Sequence, residues 1–397
     1  MITMAAIQDA LKNYYIDAIR HQMNYGSTAL AAQLEKTSKN IVGDKITRYL
    51  RYGRNGGVGN RADDGTMPTP GSRKGFQITT GTKNMFGSLQ ITSKSIKASK
   101  GNKASFINQL TTNLEELLTD AKDNFGRQLY GDGEGILALA TAAGSSGAVV
   151  KVADADSLRY LYEGMRVDVL DAATKVTKRA DALEVASIDK DAGTITLESA
   201  VGSAVTDNDV ICVQGSYGLE LTGMEAIFNK STIYGVDRSA MNWMKPNIIN
   251  VGASAGSTAE LDELKIQEGL DEIEIATGES ANFMIGSYGV RRAYQYLFLS
   301  SKRTVNTLKL EGGFTALDYN GTPFTADRYY KKGTLDLINT KSLTLDRLDD
   351  WGWADEDGNM LHRMTSKAAY EAVLECYGDL MCDLMKSNTR LQFITQH

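Results

Sequence analysis

The stretch 105–130 constrains the fold more than any other part of this 397-residue chain. Phe106, Leu110, Leu114, Leu117, Leu118, Ala121, Phe125 and Leu129 recur every three or four residues. That spacing stacks them on one face of an α-helix. Ser105 suits the N-cap, because its hydroxyl can accept from an unsatisfied N–H of the first turn. The run YGDGEG at 130–135 ends the pattern. At 1.5 Å per residue the helix would span roughly 38 Å, the length of a structural spine.

The tract before it is unusual in charge. Residues 45–103 hold twelve basic side chains against Asp63 and Asp64. The chain's net charge is −6, so this +10 tract leaves −16 to the remainder. Such asymmetry marks an interaction surface. Within it, RNGGVGNRADDGTMPTPG (54–71) is too rich in glycine and polar residues to pack a core and reads as a loop. Residues 76–97 then read as two strands, with Phe76, Ile78 and Thr80 alternating in the first and Leu89 and Ile91 in the second. GTKNMFG (81–87) is the expected turn, which sets Lys83, Met85 and Phe86 at a hairpin tip. An isolated two-stranded hairpin is marginal in water, so it must fold onto its own domain or onto a neighbour. The contact candidates are Arg73, Lys74, Phe76, Ile78, Lys83, Met85, Phe86 and Leu89.

Other regions are less distinctive. Residues 1–45 carry a short amphipathic pattern at Ile7, Leu11, Tyr14 or Tyr15, and Ala18 or Ile19. Residues 147–215 alternate in short runs (VVKV, MRVDVL, TITLES, VICV) between turn clusters, as in a small β-barrel or sandwich. Its flanks look like parts of one larger domain, so it reads as an insertion. Residues 258–277 are acidic, with Glu260, Asp262 and Glu263 at their start, and Leu261, Leu264, Leu270 and Ile273 form a helix-compatible apolar face. Two readings fit: a solvated helix, or a docking partner for a basic segment of a neighbouring copy. Strands return over 315–345. Residues 367–386 have helical apolar spacing but a composition that also suits a buried strand.

Composition bounds the function. Hydrophobic residues are 42% and charged residues 23%, as in ordinary globular proteins. The mild acidity argues against a surface that coats nucleic acid everywhere. Three cysteines are too few for a disulfide framework and read as buried thiols in a reducing compartment. The N-terminal residues resemble no signal peptide, and no apolar run approaches a membrane span. The three histidines lie far apart, GxSxG and P-loop patterns are absent, and GGVG (56–59) lacks a strand–helix setting. No catalytic residue, metal site or cofactor is therefore expected. The competing enzymatic reading is a carbohydrate-active hydrolase using Asp349 or Asp350 beside the WGW run 351–353.

The order of these parts resembles the major capsid (coat) protein family of tailed bacteriophages, with the Hong Kong 97-type fold. The tracts FTADRYYKKGTLDLINTKSLTLDRLDDWGWADEDG (324–358) and KAAYEAVLECYGDLMCDLMKSNTRLQFI (367–394) carry the detailed likeness. The resemblance implies an α+β fold made of an N-terminal arm (1–60), an extended hairpin loop (61–103), a spine helix with the first part of a peripheral domain (104–139), an inserted small β-domain (140–216), a second peripheral part (217–235), an axial domain (236–335) and a third peripheral part (336–397). It makes Tyr370 to Met381 largely strand. It implies a virion structural protein that assembles with itself, as hexamers and pentamers, into an icosahedral shell around double-stranded DNA without sequence-specific binding. Assembly would take place in the host cytoplasm, with a separate scaffolding protein, a portal and decoration proteins as partners. Some members join subunits by a Lys–Asn isopeptide bond. Lys83 is the lysine nearest the expected tip, and Asn339 lies in the half of the chain that would hold the asparagine. An encapsulin-like cargo compartment is the nearest rival on the same fold.

Overall fold

The computed structural model describes residues 16–53, 55–72, 74–94, 103–300, 307–355 and 361–397. Ile7, Leu11, Tyr14 and Tyr15 of the expected arm lie outside them. The chain divides into two compact units, Gly131–Gly223 and the remainder.

The larger unit begins with helices α1 (Ile16–Tyr25) and α2 (Ala29–Gln33). Strands β1 (Glu35–Thr37), β2 (Ile41–Val42), β3 (Lys45–Tyr52), β4 (Lys74–Gly81) and β5 (Lys83–Thr92) follow, then the long helix α3 (Lys103–Tyr130). The apolar spacing had fixed α3 to within two residues, and Leu114, Leu118, Phe125 and Leu129 are buried along it. Gly126 brings α3 close to the N-cap of α2: a Cβ there would stand 2.9 Å from the Thr28 methyl.

The inserted unit holds β6 (Ile136–Ser146), β7 (Val149–Val152), β8 (Arg166–Leu170), β9 (Lys178–Asp189), β10 (Thr194–Leu197) and β11 (Val210–Val213). They close into a barrel in the order β10-β7-β6-β11-β8-β9. Alternate residues such as Val150, Val152, Val167, Val169, Ile195 and Leu197 fill its interior, because a strand turns successive side chains to opposite faces. Asp168 is buried and accepts from Ala182 N at 2.8 Å and Gly215 N at 2.9 Å, with Lys178 Nζ at 3.0 Å.

The larger unit then resumes with α4 (Met224–Asn229), β12 (Thr232–Ile233), β13 (Val236–Asp237), β14 (Asn247–Asn250), α5 (Glu263–Thr277), β15 (Phe283–Gly286) and α6 (Tyr288–Ser300). It ends with β16 (Thr307–Lys309), β17 (Thr315–Tyr319), β18 (Thr322–Ala326), β19 (Thr334–Ile338), β20 (Leu343–Trp353), β21 (His362–Arg363), β22 (Ala369–Cys382) and β23 (Asn388–Gln392). A seven-stranded sheet runs β14-β23-β19-β15-β18-β17-β16. Both α5 and α6 cover it, through Ile266 and Ile273 from one and Val290 and Tyr294 from the other, in one core with Phe324, Leu337 and Leu391. Gly269 lets α5 sit low on this sheet, since a Cβ would come within 2.6 Å of Leu337 Cδ1. A second sheet places β22 between β20 and β5, with β1 and β21 beside them, and β2, β3 and β4 form a third.

Residues 369–382 are strand despite their helical spacing. Pairing on both sides decides this. Ala372, Leu374, Cys376 and Leu380 are fully buried with a period of two, and Gly378 leaves only 2.4 Å between an added Cβ and the Asp346 carbonyl.

The expected hairpin across 81–87 does not form. β4 pairs β3, from Lys45↔Gly81 to Tyr52↔Lys74. β5 pairs β22, from Ala369↔Thr92 to Gly378↔Lys83. Only Thr82 separates β4 from β5, fewer than the two residues of the tightest common hairpin loop, so the chain passes from one sheet to another. The acidic segment also differs from its expected face. Leu261 precedes α5, and Leu264 is 74% exposed.

Candidate assembly surface

The basic tract builds a ribbon from β3 and β4, closed by the loop 53–73. In β3, Ile46, Arg48 and Leu50 point inward, while Lys45, Tyr49 and Arg51 point outward. The inward arginine is the anchor. Arg48 Nε and Nη2 hold Asp346 of β20 at 2.7 and 2.6 Å, Nη1 meets Asp383 at 2.5 Å, and Thr344 accepts from Nη2. Burial works against the Arg48 charge, but its hydrogen bonds to Asp346 and Asp383 hold its pKa above the usual arginine range. Farther along the same face, Tyr52 stacks on Trp243 at 4.5 Å between ring centroids and Phe76 meets the same ring edge-on at 6.2 Å. Tyr49 lies across Gly75, where a Cβ would come within 2.1 Å of its ring.

The described residues of the loop, 53 and 55–72, are exposed nearly throughout. Val58 and Met67 are 84% and 82% exposed, and Arg61 folds back onto the carbonyls of Asn60 and Thr66 at 2.9 and 3.0 Å. Lys45, Arg51, Arg61 and Lys74 present their charges to solvent.

The expected contact residues therefore separate. Ile78, Met85 and Leu89 are buried in the chain's own core, so Met85 is no tip residue. Phe86 is exposed and meets Tyr377 edge-on at 5.9 Å. Phe76 is half-buried, Lys74 opens β4, and Lys83 opens β5. Arg73 lies outside the described residues. Glu260 pairs with His397 at 2.7 Å, Asp262 caps α5 by accepting from Leu264 N at 3.3 Å, and Glu263 lies in its first turn. Asn339 is buried, and its amide donates to Glu279 at 2.8 Å.

Two features escaped the sequence reading. Arg48 stands in phase with Ile46 and Leu50 in KITRYLRY, and a charge on the apolar face of a strand was a legible signal of a buried pair. Arg390 of β23 carried a weaker one. It holds Asp336 at 2.8 and 2.7 Å, pairs with Glu225 of α4, and lies 4.2 Å over the Phe228 ring. Burial alone would raise Glu225, but Arg390 and Lys331 hold its carboxyl down at about 2.

No family model matches the sequence, and no curated protein matches it. Solved structures do. A chain of the cyanophage A-1(L) capsid asymmetric unit shares 12% identity over 95% of this chain and 92% of that one, with a TM-score of 0.52. This is a phage capsid-protein fold. The likeness, at this identity, is one of architecture. The capsid of an empty GTA particle (10% identity, 93% and 90% covered, TM-score 0.48) and the SrpI encapsulin of Synechococcus elongatus (9%, 91% and 85%, 0.41) are also similar.

On this capsid-protein fold the residues weighed for catalysis have structural work. Trp351 and Trp353 are buried, Trp351 against Phe125 at 5.8 Å, so neither offers a ring for stacking a sugar. Asp350 accepts from Asn24 at 3.0 Å and from Arg347. Burial pushes the Cys212, Cys376 and Cys382 thiols up to about 12, which makes them poor nucleophiles. Among the described residues there is no cluster of His, Cys, Asp and Glu able to hold a metal, and no helix long and apolar enough to cross a membrane.

Proposed function

We propose that the chain is a major capsid protein that closes, as rings of six and five, into an icosahedral shell around double-stranded DNA. The observation that carries this reading is the likeness to a phage capsid chain over nearly the whole of both chains. In this reading α3 is the spine helix, the β20–β22 sheet belongs to the peripheral domain, the seven-stranded sheet belongs to the axial domain, and the 131–223 barrel is the insertion. The extended loop is the β3–β4 ribbon rather than a hairpin over 81–87. Its exposed Val58, Met67 and Tyr49, rimmed by Lys45, Arg51, Arg61 and Lys74, lie against an adjacent subunit. Head-to-tail contacts of this kind generate closed rings. Scaffolding, portal and decoration proteins complete the particle.

Negative-stain microscopy of the purified protein tests the reading. Rings or shells are expected, and a dispersed monomer at high concentration would refute it. DNA inside particles from infected cells separates a phage coat from a cargo compartment, which would hold protein instead.

A further inference from the structure

Helices α5 and α6 each turn one face away from the sheet they share. On α5 the buried line is Ile266, Gly269 and Ile273. At 100° per residue the opposite line is Leu264, Glu268, Asp271 and Ile275. All four are exposed, Leu264 and Ile275 at 74% and 81%. Two bare aliphatic side chains three turns apart on one helix line, with acids between them, make an amphipathic strip. Each of these acids has a hydrogen-bonding partner on its own helix: Lys265 pairs with Glu268 at 2.6 Å and Gln267 donates to Asp271 at 2.7 Å. The helix as a whole carries five acids and one lysine.

The outward face of α6 has the opposite character. Val290, Ala293 and Tyr294 face the sheet. Tyr288, Arg291, Arg292, Gln295 and Tyr296 are exposed; Arg291 lies over the Tyr288 ring at 5.0 Å, while Arg292 donates to the His397 carbonyl and Tyr296 stacks on the His397 ring at 4.9 Å. The helix sequence has two arginines and no acid. Aromatic and arginine side chains of this kind are favoured at protein contacts.

We infer that the acidic, aliphatic face of α5 docks on the basic, aromatic face of α6 in a second copy of this chain. Within one copy the two faces point away from the common sheet, so neither can cover the other. Between copies, charge and apolar surface match on both sides. Exposed ion pairs contribute modest affinity but fix register and partner. This inference rests on the proposal that the chain assembles with copies of itself, and it names one contact of that assembly.

The test uses two charge-reversed full-length proteins. One carries Glu268→Lys with Asp271→Lys, the other Arg291→Glu with Arg292→Glu. All four sites are exposed, and because Arg292 also donates to the His397 carbonyl, thermal melts check that each variant folds as the parent does. Sedimentation should show each variant alone losing association by about tenfold, and a one-to-one mixture recovering it, because each reversed face then meets its complement. If either variant alone associates like the parent, or if the mixture stays dispersed, the α5–α6 contact is wrong while self-assembly stands. If the parent itself never associates, the shell reading fails and this contact fails with it. A variant that melts early is replaced by Leu264→Ser with Ile275→Ser, for which unchanged association would overturn the contact.

Discussion

The inserted barrel and the β3–β4 ribbon are both made of antiparallel strands, yet they are finished in different ways. Every barrel strand has a partner on each side, and closure removes open edges. Its core is its own, from Leu137 to Ile211. In the ribbon, β4 pairs only with β3 among the described residues. Its inward face is held by Arg48 on Asp346 and by Trp243, and its outward face and loop leave Tyr49, Val58 and Met67 in solvent. One region is completed by its own chain. The other depends on the larger unit at its root and, in the proposed function, on a neighbour along its length.

The strongest test of this difference is isolation. A fragment spanning 131–223 should melt cooperatively, whereas a fragment spanning 40–82 should show no transition by circular dichroism. A cooperative ribbon, or an unfolded barrel, would erase the distinction.

A second test removes one arginine from each region. Arg48→Met leaves Asp346 buried with Asn40 at 3.2 Å as its remaining side-chain donor among the described residues. Breaking a buried pair in this way should cost about 3–5 kcal/mol in denaturant melts. In the barrel, Arg179→Met removes the cation beside Asp209, but that carboxylate keeps Thr206 N, Thr206 Oγ1 and Ala172 N as donors at 2.6, 2.8 and 2.9 Å. The loss there should be nearer 1–3 kcal/mol. Equal losses would mean that the ribbon's anchor is no more exacting than the barrel's.

Acid tests a buried carboxylate in each of the two units. The Glu225 carboxyl, held at about 2 in the folded larger unit, titrates near 4.5 when unfolded. A depressed carboxyl contributes stability above its unfolded pKa and loses it as pH falls toward the folded value. The gap between the parent and Glu225→Gln should therefore be full above pH 4.5, at most about 3 kcal/mol, and should close toward pH 2. A gap that does not change with pH would deny the linkage. In the barrel, burial raises the Asp168 carboxyl, but backbone N–H donors and Lys178 outweigh it and lower the pKa, so its contribution also fades in acid.

The smallest effect on stability is expected in the ribbon loop. Val58→Ser with Met67→Ser should change the melting free energy by less than about 0.5 kcal/mol, because both side chains are in water. The same protein should form fewer particles than the parent under the microscope. Unchanged particle yield would remove the loop from the assembly surface.

These regions also differ in how much the sequence showed. The barrel strands were legible because each alternates over a few residues between turn clusters, and α3 because its apolar period holds for seven turns. Arg48 was legible in principle, from its phase in β3. The destination of β5 was not. Its alternation gave the strand but could not say that Ala369 to Gly378, nearly three hundred residues away, would be its partner. The outward strip of α5 was hidden for a different reason: at 100° per residue Leu264 and Ile273 stand on opposite sides of the helix, so they cannot share one apolar face, and the sheet beneath decides that Ile273 is buried while Leu264 is not.

By itself, the sequence determined the local periods: the long helix, the alternating strands of 147–215, the acidic α5 and the basic tract with its glycine-rich loop. Those follow from side-chain direction within a few residues. The tertiary structure alone decided which strands pair, that 369–382 is extended, and which apolar residues stay in solvent. Pairing on both flanks satisfies a strand's backbone whatever its local spacing, and burial depends on surfaces brought together from distant parts of the chain.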